Sequence, residues 1–475
     1  MDKKAAIESL EKYRQELYDL SDQIWMYSET AFKEFESCKA LSDFMEAHGF
    51  KVERGLGVVP TSFSATFGSG KPVIGLLGEY DALAGVSNVP EEYQLHAPNG
   101  KSTHQACGHN LLGVGSIAAA LIVKEYLEDH PGQGTVIYYG CPAEEGGSGK
   151  AFMARDGIFD GLDAAITWHP SSINEIAGTS SLANVQVRYQ YKGISAHAAG
   201  DPEHGRSALD ALELLNIGVQ FLREHMPSDA RIHYAITDTG GKSPNVVQSY
   251  AEAIYLIRSP KNEQVQELMK RVDNIAKGAA LMTDTELNKV FMKGCSNTVI
   301  NTTLNEVLYK NLCELPIPPL TAEEAEYRSR VNATVDQPLT PKPHILATMT
   351  MEEKAAFIEK CKQDDIDFVF PLVEGPAMGG STDVADVSWI CPTAQVHTAT
   401  WCSRSPGHSW QNVAQGIGSA AKKRTMFAGQ VMAASVIDLF NAPETVEKAK
   451  EELKMREPGG YKCPIPKGVM PQPTV

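Results

Sequence analysis

The feature that most constrains this chain is a set of apolar runs that stop abruptly at acids or histidines. Val73-Ile74-Gly75-Leu76-Leu77-Gly78 is almost wholly apolar and ends at Glu79-Tyr80-Asp81. Val136-Ile137-Tyr138-Tyr139 leads to Glu144-Glu145 and a glycine-rich turn ending in Lys150, and Asp163–Trp168 ends at His169-Pro170. A strand without polar alternation is buried on both faces, the mark of a central strand in a parallel sheet covered by helices. Helical spacing over residues 4–29, 36–49 and 111–127 supplies the cover. The expected class is α/β, doubly wound, and in such sheets ligands bind just beyond the carboxyl ends of the strands. Acids and histidines placed there face a cleft.

From about residue 184 the texture changes. Val185–Tyr191 alternates as a half-buried strand does, then a helix at 205–225, strands near 231–237 and 251–258, a helix at 261–279 and a strand near 286–293 follow. The order β-α-β-β-α-β predicts a ferredoxin-like α+β unit inserted in the first. The expected domains are 1–183 with 300–475, and an inserted lid or dimerisation domain at 184–299. A polar loop with Pro90, Pro98, Asn99 and Gly100 precedes the Cys107 turn, and a long helix at 419–441 is expected to complete the first domain.

At 475 residues and 43% hydrophobic content the chain can bury two cores. Its formal charge of -16 gives the wrong sign for nucleic acid. Nine scattered cysteines without a Cys-x-x-Cys pair fit a reducing compartment. No signal-peptide profile opens the sequence and no run reaches the roughly eighteen apolar residues of a membrane span. The expectation is a cytoplasmic protein without membrane or nucleic-acid partners.

Two adjacent carboxylates repel, and a cation on one leaves the other free to accept a proton. Cys107 and His109, two apart at a helix start, carry donors suited to Zn²⁺, and imidazole and carboxylate also suit Mn²⁺. The helix start leaves a second option, Cys107 as a nucleophile. The metal option finds further donors in Glu145 and His169, with His397 and His408 both open as candidates. Phosphate binding fails, because the first glycine of G-x-x-x-x-G-K-[ST] would fall on Glu144 and Ala151 follows Lys150. No Gly-x-Ser-x-Gly elbow or His-Glu-x-x-His helix is present.

Ala106–Asn110, Pro142–Lys150, Trp168-His169-Pro170 and Ser195–Ala199 together resemble the M20 family of metallo-amidohydrolases and carboxypeptidases, in order and in spacing. Gly78–Gly85, Ser243–Gln248, Ser381–Val384 and Cys463–Lys467 extend the likeness over nearly the whole chain. The resemblance implies two divalent metal ions per subunit, Mn²⁺ or Zn²⁺, held by Cys107, His109, Glu145, His169 and His408, and so chooses His408 over His397. It implies Glu144 as general base, His197 as oxyanion donor reaching into a neighbouring subunit, and Asn245 and Arg258 as holders of a substrate carboxylate. Asp81 is expected to support a ligand and not to ligate. Asn110 stands where many relatives have Asp, which leaves open what supports His109. The implied activity is cleavage of the amide bond of an N-acyl amino acid, p-aminobenzoyl-glutamate foremost, with small or basic dipeptides as the alternative. A homodimer or a hetero-oligomer with a homologous subunit is expected; a non-catalytic partner subunit is the option of another class.

Overall fold

The computed structural model describes residues 1–85 and 103–473. The proline-containing loop around Pro90 and Pro98 lies outside the described residues. A seven-stranded sheet forms the first unit, in the order Lys51–Arg54, Phe63–Ser69, Gly134–Gly140, Val73–Gly78, Ala164–Ser171, Thr393–Ala399, Glu175–Ile176. Its four middle neighbours run parallel, and antiparallel strands flank them on both sides. The apolar strand Val73–Gly78 lies between two parallel partners, as its lack of alternation predicts.

The helix His109–Asp129 crosses one face of this sheet and packs against Ser419–Asn441. Glycine permits the close approach: a Cβ on Gly115 would come within 2.6 Å of the Trp168 indole, and one on Gly429 within 2.8 Å of Ala118. Contrary to the sequence expectation, His109–Asp129 is by length and composition long and apolar enough to cross a membrane. Lys124, Glu125, Glu128 and Asp129 crowd its last turns, leaving the rest nearly free of charge. That apolar stretch is almost entirely buried between sheet and helices, so it serves as a core helix.

Four antiparallel strands form the second sheet, in the order Arg231–Asp238, Tyr250–Ser259, Ala183–Lys192, Glu286–Cys295. The ferredoxin-like order is thus the observed one. Ala251, Ala253, Tyr255 and Ile257 point at the helices Ala208–Arg223 and Asn262–Thr283 and are fully buried. Alternation therefore turns Glu252, Leu256 and Arg258 to the opposite face.

The last third holds more helix than the sequence pattern suggests. Between Pro319 and Pro338, Thr321 and Glu324 cap each other's backbone and start the helix Ala322–Asn332. A further helix, Pro443–Arg456, follows the long one. Its buried contacts are Val446 and Ala449, too few to give a helical period in a Glu- and Lys-rich segment.

Candidate metal centre

The strand ends bring the chemistry-bearing residues into one cavity of about 460 Å³, whose lining includes Cys107, Glu144, Glu145, His169, His397 and His408. Larger hollows of about 620 and 570 Å³ lie at the helix Ala322–Asn332 and beside Leu312–Leu320, away from these residues. Volume alone does not mark the site; convergent polar groups do.

Cys107 Sγ lies 3.4 Å from His169 Nε2, while His169 Nδ1 is 2.7 Å from the Pro170 carbonyl. Donation by Nδ1–H to that carbonyl leaves Nε2 as a bare donor atom toward Cys107. Burial, reinforced by His109, lowers the His169 pKa to about 4, so the ring is neutral and ready to ligate. His109 Nδ1 contacts Asp81 Oδ1 at 3.0 Å, and Asp81 Oδ2 accepts the backbone N–H of Glu145 at 2.9 Å. One buried carboxylate therefore orients a histidine and the carboxylate pair together. Asn110 turns away, its side-chain amide donating to Ser21 and to the Gly416 carbonyl. Asp81 fills the supporting role that Asn110 leaves.

Three donor groups cluster within ligand reach: Cys107, His109 and His169; Cys107, Glu145 and His408; and Glu79, His109 and Glu144. The first two share Cys107, as a site for two neighbouring cations would require. Buried His109 Nε2 and Glu145 Oε1 have no hydrogen-bond partner, although Glu79 and His408 stand 3.2 and 3.3 Å from them. An orphaned imidazole nitrogen and an orphaned carboxylate oxygen, each clustered with the shared Cys107 sulfur, fit divalent metal ions. Burial pulls the His109 pKa down, yet Cys107, Asp81 and Glu79 push it well above the usual histidine value; the negative field that attracts a proton attracts a cation equally. Burial, with help from Glu145, pushes the Cys107 thiol far up, so its thiolate, which a nucleophile and a metal ligand both need, forms where a cation stabilises it.

The backbone of the site is held in strain at two points, one beside the acid pair and one at His408. Ala143 and His408 both adopt left-handed backbone, at φ 63° and 55°. Such positions cost about 1–3 kcal/mol each and persist where surrounding contacts impose them. Glu34 supplies one such contact, accepting the Ala143 N–H at 3.0 Å. Burial, Glu79 and Glu145 raise the Glu144 pKa well above the carboxylate range, which makes it an effective proton acceptor.

Several contributors went unassigned at the level of sequence. Lys150 is fully buried between Glu79 and Asp383, at 2.5 and 2.7 Å. Glu175 receives His397 Nδ1 at 3.0 Å and Lys342 Nζ at 2.7 Å, so His397 stands in the cavity wall on an acid of its own, its ring 6.1 Å from that of His169. Burial would raise the Glu175 pKa, but His397 and Lys342 hold it down at about 2, against an ordinary 4.5. A depressed carboxylate stabilises the fold above its unfolded value and loses that contribution as pH falls through the folded one. Glu175→Gln should therefore lower stability by roughly 3 kcal/mol near pH 6, the gap from wild type closing between about pH 4.5 and 2 in urea unfolding. A gap independent of pH would rule out the charged pairing.

His197 and Asn245 do not line the cavity. They lie side by side on the inserted unit, exposed, with Ala198 N–H donating to the Asn245 carbonyl at 2.9 Å. The N–H groups of Ala199 and Gly200 donate to His197 Nδ1, which places the remaining ring proton on Nε2. Arg258 does reach the site, lining an adjoining cavity of about 250 Å³ that shares Glu144, Glu145 and His408.

Residues 178–283 match the model of the peptidase dimerisation domain. The chain is 43% identical over 470 residues to one of the polypeptides of the p-aminobenzoyl-glutamate hydrolase of Escherichia coli, covering 98% of each chain. It is 27% identical to the Xaa-Arg dipeptidase of Mus musculus over 468 residues, 96% of this chain and 92% of that one. Among solved structures it shares its fold with a dinuclear metal binding peptidase from the M20 family of Bacillus subtilis (TM-score 0.54, 15% identity, 91% of this chain and 99% of that one). Near full-length identity, the inserted unit and the donor cluster at the strand ends agree: the chain belongs to the M20 family of amide-bond hydrolases.

Proposed function

We infer that this protein hydrolyses p-aminobenzoyl-glutamate to p-aminobenzoate and glutamate. The observation that carries this is the 43% identity, end to end, with a polypeptide of a hydrolase named for that substrate. Cys107, His109, Glu145, His169 and His408 would hold two divalent ions, Mn²⁺ or Zn²⁺, which when bound acidify water and polarise the amide carbonyl. Glu144 takes the proton of the attacking water and returns it to the nitrogen of the leaving glutamate. Its raised pKa, set by burial and by Glu79 and Glu145, suits both transfers. Arg258 binds a carboxylate of the glutamate half through its planar fork, and Asn245, beside His197 on the inserted unit, would join it from a neighbouring subunit.

His197 donates a hydrogen bond from Nε2 to the oxyanion, a contribution on the order of 3–4 kcal/mol in comparable sites. Its exposure and its place outside the lining of this chain's own cavity support delivery to the site of a neighbouring subunit. Phe221, Leu281 and Met282, 70%, 81% and 67% exposed on the inserted unit, support pairing there, with a second copy or with a homologous subunit. The test is the chain expressed alone, stripped with chelator and resupplied with Mn²⁺ or Zn²⁺. Metal-dependent release of glutamate from p-aminobenzoyl-glutamate is the expected result, and no release from the reloaded protein would refute the proposed substrate for the isolated chain.

A further inference from the structure

The adjoining cavity of about 250 Å³ meets the larger one at Glu144, Glu145 and His408, so a substrate amide beside Glu144 has room for an arm on each side. Its outer wall is the open face of the inserted sheet. Asn184 pairs with Arg258 on one neighbouring strand and with Cys295 on the other, and alternation puts Lys293 on the same face two residues along. All four line the cavity.

Two cations of that wall lack a carboxylate. Lys293 is half-buried and, unlike Lys289 on the same strand, which pairs with Asp273, takes part in no ion pair among the described residues. Arg258 has a buried Nε without a partner, and its Nη1 reaches the Gly379 carbonyl at only 3.5 Å. Asp383, the other acid of the lining, is already bound to Lys150. Glu144 and Glu145, which line the inner end of this cavity, are taken by the base and ligand roles, so on the outer wall Arg258 and Lys293 are the cations left to face a substrate carboxylate.

We propose that Lys293 selects an acidic side chain in the amine half of the substrate, binding its carboxylate while Arg258 binds the α-carboxylate. The division follows from the groups: a planar fork suits a fixed carboxylate, and a compact ammonium on a flexible stem follows a mobile one. Neutral amino acids of the same size would leave the ammonium unpaired in a partly desolvated wall, which disfavours them. The assignment deepens the function proposed above and rests on its placing of the amine half beside Arg258.

Binding separates the two ideas. Affinities of the Mn²⁺- or Zn²⁺-loaded protein for N-acetylglutamate and N-acetylglutamine, measured calorimetrically, should favour the acid roughly tenfold or more, and Lys293→Met should abolish the preference while Lys293→Arg retains it. Retained folding and metal content of the Met variant show that the loss is local. Equal affinities in the wild type, or an unchanged preference in the Met variant, would overturn the assignment. Intact selectivity without hydrolysis of p-aminobenzoyl-glutamate would remove the proposed acyl half and leave Lys293 in its role.

Discussion

Replacement of Glu144 by glutamine is expected to leave fold and metal content intact and to lower kcat by roughly 10²–10⁴-fold. The amide keeps the volume and hydrogen-bonding surface of the acid and loses only its proton-accepting charge. Glu144 stands beside Glu145, but the two are held differently. Glu145 has its backbone fixed by Asp81 and its side chain beside His408, and its pKa falls below the ordinary carboxylate value despite burial, because His408 and His109 favour its charge. For Glu144, burial and the acidic neighbours Glu79, Glu145 and Asp383 outweigh the pull of His109 and drive its pKa up. Environment alone thus sets the two neighbours apart, which suits the proposed division into a ligand and a base. If Glu144 is the base proposed above, acting on the proton of water and of the leaving amine, kcat should fall far more than KM rises. A Gln variant with wild-type turnover would remove Glu144 from the mechanism.

Lys150→Met is expected to destabilise the protein by about 3–5 kcal/mol, the largest single effect on folding proposed for this chain. Its ammonium lies fully buried between Glu79 and Asp383, and its own N–H donates to Asp383 at 2.8 Å. Burial lowers its proton affinity, but the two carboxylates raise it well above the usual lysine value, so the charge stays. Removing it leaves two buried acids facing each other with His109, on the Glu79 side, as the cationic group that remains. Both ends of the bridge matter to the site: Glu79 lies 3.2 Å from His109, and Asp383 holds the start of the helix that follows Glu144 and Glu145. Urea unfolding of the chelator-treated protein measures the effect, and a change below about 1 kcal/mol would show that the acids simply take up protons in its place.

Much of this was legible in the sequence because the strongest signals are local. Unbroken apolar runs located the central strands, alternation located the inserted sheet, and the side chains after each strand end named most of the cluster. What sequence order hides is who faces whom. Lys150 reads as a failed phosphate loop until Glu79 and Asp383, 71 and 233 residues away, close around it. Spacing left His397 and His408 equivalent; in the fold His408 stands beside Glu145 and His397 on Glu175. The left-handed backbone at Ala143 and His408 has no glycine to announce it. The helix Pro443–Arg456 lacks an apolar face wide enough to show as a period. The apolar length of His109–Asp129 has the opposite cause: it is covered on every side.

The chemistry proposed for this chain turns on a two-cation site built around Cys107, and a metal count decides whether that site exists. Wild-type protein, stripped and then equilibrated with excess Mn²⁺ or Zn²⁺, should retain about two ions per chain, and Cys107→Ala, which removes the donor common to two of the clusters, should retain fewer. A wild type that retains none, or an Ala variant that binds as the wild type does, would contradict it.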